Sequence, residues 1–150
     1  MQSPKTLHGL DEIQDHFTAF LSDWKARIPA LRSWSLSVHV TNDHMPKFTA
    51  YSAKTGAYTE AWSKYEDAVV NLYLPEPEPS ISAEELEETA IHELMHILIS
   101  PWNESWKAAM GKKLTEALED VILIMEEQVC TRLACGYMRT KYPEHEEGVS

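Results

Sequence analysis

Residues Ala90-Ile91-His92-Glu93-Leu94-Met95-His96-Ile97-Leu98-Ile99 form an apolar run broken only by His92, Glu93 and His96. On an α-helix, residues four apart share a face, one turn above the other. His92 and His96 therefore present two imidazoles to one point. Glu93 lies beside them, placed to hydrogen-bond a metal-bound water rather than the metal. His-Glu-x-x-His on a helix is the pattern of a zinc site with two His ligands and Glu as general base. Buried polar side chains need partners, and a cation supplies one here. The fold must then bring a further ligand to an otherwise apolar helix.

Ser82-Ala83-Glu84-Glu85 reads as a capping box. Glu84, Glu85, Glu87 and Glu88 crowd the first turns, where carboxylates suit the positive end of the helix dipole rather than catalysis. The pattern predicts a helix over 83–99, stopped before Pro101. Asn103-Glu104-Ser105-Trp106 would start a separate short helix ending near Gly111, with Trp102 and Trp106 packing over the site.

Upstream, Leu10, Ile13, Phe17, Phe20, Leu21, Trp24 and Ile28 recur at helical spacing, which predicts an amphipathic helix over 11–28, stopped by Pro29. Its aromatic stripe reads as core packing. Trp34 to Val40 alternates cleanly, as a half-buried strand does, with His39 on the polar side and His44 in an exposed turn. Lys47 to Ala53 is a weaker strand. Ala57 to Lys64 carries β-favouring Tyr58, Thr59 and Trp62, and Ala68 to Leu74 suits a strand covered on both faces. The proline-rich stretch 75–79 is a stiff acidic loop.

Thr115 opens a last long helix, to about Tyr142. Leu118, Ile122, Met125, Val129 and Leu133 give it a face to bury, Val121, Leu123, Ile124, Cys130 and Ala134 widen that face, and Glu126 and Glu127 lie within its most apolar part. Carboxylates rarely sit there without a partner. The tail 143–150 is expected to be disordered.

A catalytic zinc takes three protein ligands and keeps one position open. The only His beyond His96 is His145, in that tail, so the third ligand should be a carboxylate of the last helix. By helical wheel Glu126 lies nearer the centre of the apolar arc and Glu127 at its edge, which leaves both as candidates. Glu116, Glu119 and Asp120 have more polar neighbours.

His92-Glu93-Leu94-Met95-His96, followed on the next long helix by Glu127-Gln128-Val129-Cys130, resembles the small gluzincin-type metallopeptidases. These include phage-associated proteins and the ImmA/IrrE-like group, whose helix reads Ala-Asn where this chain has Cys130-Thr131. The long-spaced metzincin pattern is absent, since Ile99 and Trp102 stand where it wants Gly and His. The resemblance implies that the Glu opening a Glu-x-x-(small residue) stretch is the third zinc ligand, which is Glu127, with Glu126 the alternative. It also implies a minimal zincin-like α+β fold. An N-terminal helix and a small sheet of three or four strands precede the motif helix, and a long C-terminal helix supplies the third ligand.

The whole chain, residues 1–150, is expected to be one domain. Its formal charge of −11 argues against nucleic acid and anionic membrane as partners. The N-terminus lacks the apolar segment of a signal peptide, no stretch reaches transmembrane length, and Cys130 and Cys135 fall on different faces of one helix. These features predict a cytoplasmic location.

Three functions compete. The first is a Zn2+-dependent peptidase acting on a protein or peptide. Metal-activated water attacks the carbonyl, Glu93 is the general base, and Tyr137, Tyr65 or His39 assists the oxyanion. The alternative is a catalytically inactive zinc-binding regulatory or structural interaction domain. The third is coincidence, with His92 and His96 as packing residues; the paired spacing and the downstream glutamates make it the weakest.

Overall fold

The structure, a computed structural model, describes residues 5–46 and 56–146. The strand expected over Lys47–Ala53 lies outside the described residues. Among the described residues the fold is α+β, with three α-helices and two small sheets.

Strand β1 (Thr6–His8) pairs antiparallel with β5 (Ser80–Ser82), a two-stranded sheet that bridges the start of the chain to the start of the motif helix. Between them, Gly9 takes φ 82° and its N–H donates to the Pro79 carbonyl at 2.9 Å. This left-handed conformation suits glycine and turns the chain directly into α1 (Leu10–Arg27). Ile13, Phe17, Leu21 and Trp24 line the buried face of α1.

The second sheet has order β2-β4-β3, with β2 (Ser35–Thr41) parallel and β3 (Ala57–Trp62) antiparallel to the central β4 (Asp67–Tyr73). Ala68, Val70 and Leu72 are buried on β4, whereas β3 is an edge strand. His39 and His44 are exposed.

Helix α2 spans Ala83–Met110, with Ser82 Oγ accepting from the Glu85 N–H at 3.1 Å. It does not stop before Pro101. Proline removes one N–H from the ladder and so leaves the Ile97 carbonyl without its helical donor. Ser100 Oγ–H donates to that carbonyl at 2.8 Å, and the helix continues to Gly111. The separate short helix expected after 103 is the end of α2. Trp102 is 59% exposed on it, and neither Trp102 nor Trp106 covers the motif.

Helix α3 (Glu116–Lys141), capped by Thr115, packs along α2. Of its expected buried face Ile122 is buried and Leu118 half-buried, but the following part is turned outward. Met125 and Val129 are 57% and 45% exposed, and Leu133 is also exposed. Cys130, Ala134 and Met138 face inward instead. The small side chains at Cys130 and Ala134 allow close approach, and this rotation carries Glu126 and Glu127 toward α2. Cys130 and Cys135 are both buried and free.

The start of the tail, residues 143–146, does not leave the fold, and the rest of the stretch expected to be disordered, 147–150, lies outside the described residues. His145 is buried, with Nδ1 2.6 Å from Glu84 and Nε2 3.0 Å from Glu88, and its carbonyl accepts from Arg139 Nε. No helix among the described residues is long and apolar enough to cross a membrane.

Candidate metal centre

His92 and His96 sit on the face of α2 that meets α3 and β3. Their Nε2 atoms are 3.1 Å apart. Glu127 reaches across from α3, its Oε2 3.1 Å from His92 Nε2 and its Oε1 3.0 Å from His96 Nε2. These three side chains form a group that can hold a metal ion.

The opposite ring nitrogens each face a hydrogen-bonding group. His96 Nδ1 lies 2.9 Å from Glu126 Oε1 and His92 Nδ1 3.4 Å from Thr131 Oγ1. An Nδ1–H donated to each acceptor leaves both Nε2 lone pairs aimed at Glu127. Two lone pairs and a carboxylate facing one another repel unless a cation or a proton joins them. In a tetrahedral zinc site with bonds near 2.1 Å, ligand atoms lie about 3.4 Å apart; one ligand atom from each of the three side chains lies within 4.8 Å of the others, close enough to share one ion.

Glu126 therefore lies behind His96 rather than in the ligand group. Its Oε2 accepts from Asn103 Nδ2 at 2.5 Å. Asn103 belongs to the part of α2 beyond Pro101, so the continuous helix is what delivers it. Glu93, 1% exposed, receives a 2.5 Å hydrogen bond on Oε2 from Thr59 Oγ1 of β3.

The charges of the metal-free site follow from these contacts. Burial acts to discharge the His96 imidazolium, but Cys130, Glu126 and Glu127 outweigh it and hold its pKa well above the ordinary histidine value. Burial raises Glu126 and Glu127, yet the donors win: His96 and Asn103 lower Glu126, and His92 and His96 lower Glu127 further. Burial raises the Cys130 thiol.

Glu93, His96, Glu126 and Glu127 line an open cleft of about 1100 Å³ that runs along β3. Tyr58 lines it too. Burial first, then the charges of Glu60 and Glu126, push its phenol up and keep it protonated. Tyr137, Tyr65 and His39 do not line the cleft; Tyr65 is 68% exposed and Tyr137 packs edge-on against Trp24. Tyr58, Thr59 and Asn103 are the residues that sequence reasoning missed. Tyr58 and Thr59 carried only a strand signal, and Asn103 only a helix-start signal.

Comparison with protein-family models, curated proteins and solved structures found no match to this chain.

Proposed function

We propose that this chain is a zinc-dependent peptidase with a minimal zincin-like architecture. The observation that carries the reading is the convergence of His92, His96 and Glu127 on one point in the wall of an open cleft, with Glu93 beside them. Two imidazoles and one carboxylate are a donor set suited to zinc, and fewer than four protein ligands leave a position for a reactant. The likeness of the two helix motifs to the small gluzincin-type metallopeptidases supports the same class.

Zinc, when bound, supplies Lewis acidity and lowers the pKa of a coordinated water to about 7. Glu93 Oε1 accepts the proton as water adds to the peptide carbonyl, and Glu93 then passes it to the leaving amine. Thr59 Oγ1–H ties down Oε2, so the other oxygen serves as base. Glu126 fixes the orientation of His96. Tyr58 offers a neutral phenol O–H to the developing oxyanion. Among the described residues β3 is an edge strand, and its outer side offers backbone groups to an extended substrate along the cleft.

The test is metal content followed by cleavage. Purified protein should hold near one zinc per chain, and should cut an unfolded protein or peptide mixture only when loaded. Glu93→Gln should abolish cutting and keep the zinc. Full activity in that variant sinks the role of Glu93. Zinc without cutting in the wild type favours a non-catalytic interaction domain, and no zinc after reconstitution rejects the metal site.

A further inference from the structure

The outer side of α3 carries a row of large apolar side chains. Val121, Met125, Val129 and Leu133 all face solvent, with exposures from 37% at Leu133 to 57% at Met125. They follow one another at steps of four residues, so they form one continuous ridge along about 18 Å of helix. The solvated face of a helix is ordinarily polar, and a contiguous apolar strip of this length marks an interaction surface. None of the four lines the cleft, so the ridge is separate from the metal group that α3 helps to form.

The charges beside the ridge select what covers it. Asp120 adjoins Val121 at one end and Arg132 adjoins Leu133 at the other. Both are exposed, and neither forms an ion pair among the described residues. The same order runs through the whole helix, with Glu116 and Glu119 in its first turn and Arg139 and Lys141 in its last. A second α3 laid antiparallel across the first therefore sets each acidic end beside a basic one. Val121 then meets the partner's Leu133, and Met125 meets the partner's Val129. Ridges of this spacing interdigitate at a crossing angle of about −50°. A parallel arrangement sets like charge beside like. The ridge is thus complementary to itself in shape and in charge, and such a contact closes at two copies. One pair of helices covers less than the roughly 1,600 Å² of a standard interface, so the association is reversible.

We infer that the ridge Val121-Met125-Val129-Leu133 pairs antiparallel with the same ridge of a second copy of this chain. Apolar packing at Met125 and Val129 supplies the attraction. Asp120 and Arg132 set the direction, and they act twice because the two-fold repeats the contact. The cleft residues of α3 lie outside the ridge, so both clefts stay open in the pair. The inference stands apart from the peptidase reading and needs neither zinc nor substrate.

The experiment is sedimentation equilibrium on the full chain, from about 1 µM to about 1 mM. The weight-average mass should rise from that of one chain toward that of two. Met125→Gln with Val129→Gln, which keeps good helix formers on the face, should weaken association more than about tenfold. Trp102→Gln removes a side chain that is 59% exposed on α2 and should leave it unchanged. Asp120→Arg and Arg132→Asp should each weaken it about three- to tenfold, because each sets like charges together at both ends. Mixed one to one, these two variants should associate as tightly as wild type, since only the mixed pair has opposite charges at both ends. Loss of helix stability in either variant could not be repaired by mixing. A chain that stays monomeric to about 1 mM overturns the inference and leaves the ridge to a different protein. An equal loss in the Trp102 variant, or a mixture no tighter than its components, overturns it as well.

Discussion

Glu126 and His96 are joined at 2.9 Å through the ring nitrogen that faces away from Glu127. Adjacent glutamates on α3 thus take different parts: Glu127 faces the centre formed by the two Nε2 atoms, and Glu126 orients one of the rings from behind. Removing a ligand and removing its support have different costs. Glu127→Ala should lose stoichiometric zinc. Glu126→Ala should keep it with affinity lowered about 10- to 100-fold, the usual effect of losing a partner behind a metal ligand. Elemental analysis and competition with a chelator separate the two. Equal zinc loss in both variants would show that Glu126 is itself a ligand.

The paired histidines and Glu93 are legible in sequence because their geometry is local: one helix and a spacing of four residues. The choice between Glu126 and Glu127 is not local. Hydrophobic periodicity pointed Met125, Val129 and Leu133 inward, whereas α3 turns Cys130 and Ala134 to α2. The buried part of that wide apolar arc is its Cys130 and Ala134 side, because close packing here favours small side chains. Pro101 misled for a related reason, since Ser100 satisfies the carbonyl that the proline frees. Asn103 and Thr59 reach the site only through tertiary contacts, and no spacing marks them.

Thr59 predicts a separable effect on catalysis. Its hydroxyl is donated to Glu93 across the gap between β3 and α2. Thr59→Val should lower kcat about tenfold, as expected for a lost hydrogen bond to a charged group, with zinc content unchanged. Thr59→Ser, which keeps the hydroxyl, should restore most of the rate. A Val variant with wild-type kcat would show that Glu93 needs no such anchor.

The metal-free site predicts opposite responses to pH. His96, with its raised pKa, contributes stability fully present below the unfolded value of about 6.5. That contribution is lost as pH rises through the folded value. Zinc must displace the same proton, so its affinity should rise over that range. Chelator-treated protein should therefore lose thermal stability from neutral toward alkaline pH, while zinc binding tightens. Stability of the metal-free protein that is flat over this window would mean that His96 holds no extra proton.

Glu87 predicts where stability is concentrated away from the metal. It is 1% exposed near the start of α2. Trp24 Nε1–H and Lys141 Nζ each donate to its Oε1 at 2.7 Å, and Tyr142 O–H donates to Oε2 at 2.9 Å. One carboxylate thus ties α1 and the end of α3 to the motif helix. Glu87→Leu leaves the Trp24 indole N–H without its acceptor and Lys141 without its counter-charge. Lys141 is partly solvated and loses little, so most of the cost falls on Trp24 and on the lost Tyr142 bond. Urea denaturation should show a loss of about 2–4 kcal/mol, against no more than a fraction of that for Lys5→Met, which breaks the exposed pair with Glu12. Both should leave zinc stoichiometry intact, because Glu87 lies outside the ligand group. An effect of Glu87→Leu no larger than that of Lys5→Met would mean that the buried carboxylate does not hold the three helices together.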